Sequence, residues 1–87
     1  MTREEFVVRV EQMDAVDSNC AIALMAEIRP VYVKVEGYLP GSLPWLVKIV
    51  PNAADGWPCN FGSGRGKTFP EAVREAALMV AGVQSSP

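Results

Sequence analysis

Eighty-seven residues, with 49% hydrophobic and 21% charged side chains, make one globular domain that has room for a single core and little apolar area to spare. A net charge of −2 argues against general nucleic-acid binding, and no apolar run approaches the roughly 18 residues that cross a bilayer. Histidine is absent, which removes the commonest general base, the commonest metal ligand and every Ser-His or Cys-His nucleophilic pair.

The chain opens on MTREEF, charged and acidic where a signal peptide would be basic and then apolar, so the expected location is the cytosol. Thr2 and Glu5 form a potential capping box, and Phe6, Val7, Val10 and Met13 follow at helical spacing. Neither Gly nor Pro occurs between Thr2 and Arg29. Phe6, Val10, Met13, Val16, Cys20, Leu24 and Ile28 keep one face through residues 14–19, DAVDSN, although that stretch is poor helix material. The pattern favours one long or slightly broken helix ending before Pro30, with two helices broken at residues 17–19 as the alternative. Alternation of Val8 and Val10 with Arg9 and Glu11 offers a rival strand for residues 6–11. The alanine-rich run CAIALMAEI makes helix the better reading of the second half. Cys20 and Cys59 have no CxxC spacing and are expected to be buried small hydrophobes.

After Pro30 the period changes to two. Val31, Val33 and Val35 alternate with Tyr32, Lys34 and Glu36, which predicts a strand with one apolar and one mixed face. Residues 37–44, GYLPGSLP, form a turn-rich connection; WLVKIV, residues 45–50, is the second strand, and NAADG, residues 52–56, a hairpin turn. Residues 57–61 read as a short third strand whose Pro58 points to an edge position.

Residues 61–68, FGSGRGKT, then read as a glycine-rich basic loop leading into a helix with a complete start signal. Thr68 is placed as N-cap, Glu71 can reach back to the Thr68 amide, and Pro70 sits in the first turn, where its missing N–H costs nothing. Phe69, Val73, Ala76, Ala77, Val80 and Val83 form one buried stripe, and Gly82 offers the left-handed residue that ends the helix. Free amides at the helix start beside Arg65 and Lys67 make this loop the expected anion-attracting spot. Gly66-Lys67-Thr68 match the end of a phosphate-binding P-loop, but Phe61 stands where that motif needs glycine. Asp14 and Asp17, three apart, could share a helix face, yet Asp beside a helix irregularity ordinarily caps it. The aromatic residues Tyr32, Tyr38, Trp45 and Trp57 leave two readings open: Tyr32 and Trp57 as core, or Tyr38 and Trp45, with Leu39 and Leu43, as an exposed anchor for a protein partner.

Three strands followed by GxGxGKTxxEAxxEAA resemble two small families. In the double-stranded RNA-binding domain the last strand leads through a Gly-rich basic loop into an Ala-rich helix, and Gly62, Gly64, Arg65, Lys67, Ala72, Ala76 and Ala77 match in type. That family's consecutive lysines are replaced here by Lys67-Thr68-Phe69-Pro70, so only Lys67 remains. The HicB-like antitoxin domain begins its helix with a threonine followed by Glu-Ala, which Thr68, Glu71 and Ala72 fit, while its aromatic-Pro-Asp segment does not appear. Both likenesses cover about residues 31–83. In size, acidity and lack of catalytic residues the chain is also similar to small proteins of bacterial viruses, including anti-CRISPR inhibitors of host defence.

The sequence therefore predicts a single α+β domain in the order α-β-β-β-α: an N-terminal helix, whole or broken, a three-stranded antiparallel sheet and a C-terminal helix. The expected function is a non-enzymatic protein-interaction module, with no catalytic, metal or cofactor residues, of the phage-encoded inhibitor kind. Its contacts would come from Tyr38, Leu39, Leu43 and Trp45, or from phosphate mimicry by Glu4, Glu5, Glu11, Asp14 and Asp17. The alternative is a nucleic-acid or antitoxin module using Arg65, Lys67 and Arg74. A small assembly protein that dimerises through its sheet edge is a third reading.

Overall fold

A computed structural model describes residues 2–13, 17–52 and 61–82. Its elements are helices α1 (Arg3–Gln12) and α2 (Ser18–Glu27), strands β1 (Tyr32–Glu36), β2 (Trp45–Val50) and β3 (Gly62–Gly66), and helix α3 (Phe69–Val80). The strands form one antiparallel sheet in the order β1-β2-β3, so the α+β class and the helix-sheet-helix arrangement follow the sequence pattern.

The N-terminal region is two helices, the alternative reading, in place of the favoured long or slightly broken one. Thr2 caps α1 by accepting from the Glu5 N–H at 3.2 Å. The chain leaves the helix at Met13, where ψ reaches 133°. Asp17 then starts α2 afresh, its Oδ1 accepting from the Asn19 N–H at 2.9 Å and the Cys20 N–H at 3.3 Å. In a continuous helix those amides would bond to backbone carbonyls one turn earlier; the carboxylate competes and wins. Restarting the helix also resets its buried face. Ala21, Leu24 and Ile28 point inward, whereas Cys20, expected to be buried, is exposed. Cys59 lies outside the described residues.

Residues 57–60 of the expected third strand and residues 53–56 of the expected turn lie outside the described residues, and Phe61 precedes the strand. The expected glycine-rich loop is itself strand β3. Gly62, Gly64 and Gly66 pair with Ile49, Val47 and Trp45, on the sheet face that α3 covers. A Cβ at Gly64 would lie 2.4 Å from both the Ala72 carbonyl oxygen and the Ala76 nitrogen, and one at Gly62 would lie 2.4 Å from the Ala76 oxygen. The glycines thus bring the α3 backbone directly onto the strand, an approach that any side chain would prevent.

Helix α3 is built as its sequence predicts. Thr68 accepts from the Glu71 N–H at 3.3 Å, and Pro70 is buried in the first turn. The Glu71 carboxylate accepts from the Lys67 N–H at 3.0 Å, one residue earlier than expected. Gly82 takes φ 76° and donates to the Met79 carbonyl. Val83 lies outside the described residues.

The core joins Val47 and Ile49 of β2 to Val73, Ala76, Ala77 and Val80 of α3 and to Phe6, Val10, Leu24 and Ile28 of the first two helices. α1 and α2 make their main contacts with α3, which lies on β3 and β2. Among the described residues, five of the thirteen buried apolar side chains are alanines, so close backbone approach, more than side-chain bulk, fills this interior. Arg9 and Glu27 join α1 to α2 at 2.7 Å, and the Arg3 Nε donates to the Ala81 carbonyl beyond α3. Among the described residues, no helix is long and apolar enough to cross a membrane.

Candidate functional site

The β1–β2 connection, residues 37–44, is held from two directions. Its ends are closed by the Leu39 N–H donating to the Pro44 carbonyl at 2.9 Å. Arg65, reaching over from β3, donates from Nε to the Leu43 carbonyl at 3.1 Å, and from Nη2 to the same oxygen at 2.6 Å and to the Pro40 oxygen at 3.4 Å. A guanidinium suits this task because its planar fork offers several donors in fixed directions. Gly41, at φ 109°, supplies the turn.

On this braced loop Tyr38 and Leu43 face outward. Tyr38 is 89% exposed and adopts φ 60°, which tilts it off the end of β1. Its ring lies 5.8 Å from that of Trp45, which in turn meets Phe69 edge-on at 6.1 Å. Trp45 is half-buried against the core and fits over Gly37, so it anchors the aromatic row, while Tyr38 presents its outer end. Leu43 is exposed and Leu39 half-buried. Arg65, distant in sequence, therefore meets Tyr38, Leu39, Leu43 and Trp45 around one loop.

The other candidate residues are distributed differently. Lys67 is exposed and Arg74 half-buried, but Arg65 points to the loop carbonyls, and at the helix start the Lys67 and Glu71 amides already donate to the Glu71 carboxylate and the Thr68 hydroxyl. The P-loop likeness has no cradle behind it, since a Cβ at Gly66 would lie 2.6 Å from the Glu71 Cβ and 2.7 Å from the Ala72 nitrogen. Glu4 and Glu11 are exposed on α1, and Glu5 is engaged with Thr2. Asp14 lies outside the described residues. Tyr32, one candidate for the core, is 54% exposed on the open sheet face, and Trp57 lies outside the described residues. Among the described residues, no three His, Cys, Asp or Glu side chains gather as a metal site.

Asp17 works as a cap. Hydrogen bonds from the Cys20 thiol, the Cys20 amide and the Asn19 amide hold its carboxyl below the ordinary range. A depressed folded-state pKa means that the cap's contribution is present at neutral pH and is lost as pH falls from the ordinary carboxylate range through the lowered value. Asp17→Asn keeps an acceptor for both amides but does not titrate. In thermal melts it should lose less stability than the parent chain below the ordinary carboxylate range; identical pH profiles would show that the charge is irrelevant.

On the open face of the sheet, the Lys34 Nζ lies 2.9 Å from the Glu36 Oε1. This hydrogen bond and charge hold Glu36 below its ordinary range and raise Lys34, with Lys48 adding to the effect on Glu36.

Sequence reasoning missed the brace. Arg65 and Leu43 are 22 residues apart, and no local pattern joins them. Comparison with protein-family models, curated proteins and solved structures returned no match.

Proposed function

We propose that this chain is a non-enzymatic protein-interaction module whose contact surface is the braced 37–44 loop together with the Tyr38–Trp45–Phe69 aromatic row. The observation that carries this reading is the Arg65 brace. A cation that could serve nucleic-acid binding is instead spent on fixing a loop that presents Tyr38 and Leu43 to solvent. Ordering such a loop beforehand lowers the entropy lost on binding, and exposed aromatic and apolar anchors are the residues that dominate protein interfaces. Occlusion of a partner's own contact face, as by a phage-encoded inhibitor of a host defence complex, is the mode of action such a surface supports. Phosphate mimicry has weaker support, because Asp17 and Glu5 are occupied in helix starts. Residence in the cytosol remains part of this proposal.

The test compares two double variants against a partner captured from bacterial lysate. Tyr38→Ala with Leu43→Ala should weaken binding by at least about 2 kcal/mol, roughly thirtyfold, while leaving the melting curve close to the parent's. Lys67→Ala with Arg74→Ala should leave affinity nearly unchanged. Trp45 is unsuitable for this test, since its truncation would also damage the core. Sub-micromolar binding of short duplex RNA that falls steeply with salt and is lost in the Lys67/Arg74 variant would overturn the reading in favour of a nucleic-acid module.

A further inference from the structure

Strand β1 is an edge: it pairs with β2 on one side, and no described strand pairs with the other. Its apolar side chains are also left without cover. Val33 and Val35 pair with Ile49 and Val47 and so point to the helix side of the sheet, but α3 lies over β3 and β2. In consequence Val35 is 44% exposed and Val31, just before the strand, 72% exposed, in a domain whose core is small. An uncovered edge of Val and Tyr residues is a template for another strand.

The opposite face of β1 indicates which strand fits. Tyr32, Lys34 and Glu36 alternate there, with Lys34 in the middle. A lysine at the centre of an edge strand ordinarily discourages pairing. Here Glu36 follows two residues later on the same face, which makes the edge complementary to itself in one antiparallel register. With Val35 placed opposite Val35 of a second copy, Lys34 stands opposite Glu36 on both sides of the two-fold axis, and Val33 stands opposite Gly37. In the neighbouring register, centred on Lys34, two lysines oppose each other directly, which destabilises the pair. The intrastrand Lys34–Glu36 pair is solvent-exposed and weakly held, so exchanging it for the cross-strand pair loses little.

We propose that β1 pairs with β1 of a second copy of this chain, antiparallel and centred on Val35, joining the two three-stranded sheets into one. The contact is isologous, so it closes at two copies. The uncovered valines of both copies then lie side by side on the helix side.

Charge reversal provides the test, read by sedimentation velocity on the full chain over a range of concentrations. Lys34→Glu alone places carboxylates opposite each other at both symmetry-related positions, and Glu36→Lys alone does the same with ammonium groups. Each should weaken the dimer at least about tenfold, and the double reversal should restore it to within a few-fold of the parent. A second readout covers the case in which a reversal variant fails to fold. In a Cys20→Ser, Cys59→Ser background, Val35→Cys should form a disulfide-linked dimer under mild oxidation, whereas Val33→Cys, opposite Gly37, should not. A chain that stays monomeric at every concentration overturns the pairing and leaves this edge to a foreign strand. A dimer insensitive to the reversals, or one linked equally well through residue 33, overturns the register and the surface.

Discussion

Replacing Gly64 with alanine is expected to cost roughly 3 kcal/mol or more, the upper end of the range for overpacking and a large share of the stability of so small a domain. The added methyl would meet the Ala72 oxygen and the Ala76 nitrogen at 2.4 Å each and the Glu75 Cβ at 2.7 Å. Two of these neighbours are helix backbone, which cannot turn aside as a flexible side chain does. Relief requires lifting α3 off β3, and α3 is also the surface on which α1 and α2 pack. Chemical denaturation of Gly64→Ala beside Ser63→Ala, which lies on the other sheet face, checks this. The serine variant should stay within about 0.5 kcal/mol of the parent, as surface changes usually do. A Gly64→Ala protein as stable as the parent would mean that the helix does not rest on this strand.

The same glycines show where the sequence was legible and where it was not. Helix α3 could be read in detail because its signals are local: Thr68 and Glu71 lie within one turn of its start, and its buried stripe repeats every three or four residues. β1 was legible from period-two alternation, and β2 from the turn-rich segments on either side of WLVKIV. β3 was missed because glycine is among the poorest strand formers and a GxGxG run reads as a breaker. A usable signal was nonetheless present. Glycine at every second position has the strand period, and Ala72 and Ala76 on the following helix supply the smooth surface that such a strand can meet. The break between α1 and α2 was half legible. Hydrophobic period argued for continuity, while Asp17 as a potential cap argued against it, and the local hydrogen bonds decided. At the candidate site, the exposure of Tyr38 and Leu43 could be expected from turn-rich GYLPGSLP, whereas the role of Arg65 depends on β3 lying beside β2 and was hidden once β3 was taken for a loop.

Phe6→Ala is expected to have an effect of comparable or greater size, about 3–5 kcal/mol, because Phe6 is the largest fully buried side chain among the described residues and truncating a core phenylalanine removes its transfer energy and leaves a cavity. The loss should also be localised. α1 is held by Phe6 and Val10 inside the core and, at its surface, by the Arg3 hydrogen bond to the Ala81 carbonyl and by the Arg9–Glu27 pair, whose side chains are 44% and 39% exposed. A pair that accessible contributes about 0–1 kcal/mol and cannot retain the helix alone. Ten residues of helix are too few to persist undocked in water, so α1 should melt when its anchor is lost. The milder Phe6→Leu variant separates undocking from global unfolding. In hydrogen exchange, its α1 amides should lose protection before those of β2 and α3, which keep the glycine-mediated contact between sheet and helix. Val8→Ala, at a site 49% exposed on the same helix, provides the control and should change stability by less than about 1 kcal/mol. If Phe6→Ala cost no more than Val8→Ala, α1 would not be part of the core. The small interior would then rest on α2, α3 and two strands alone.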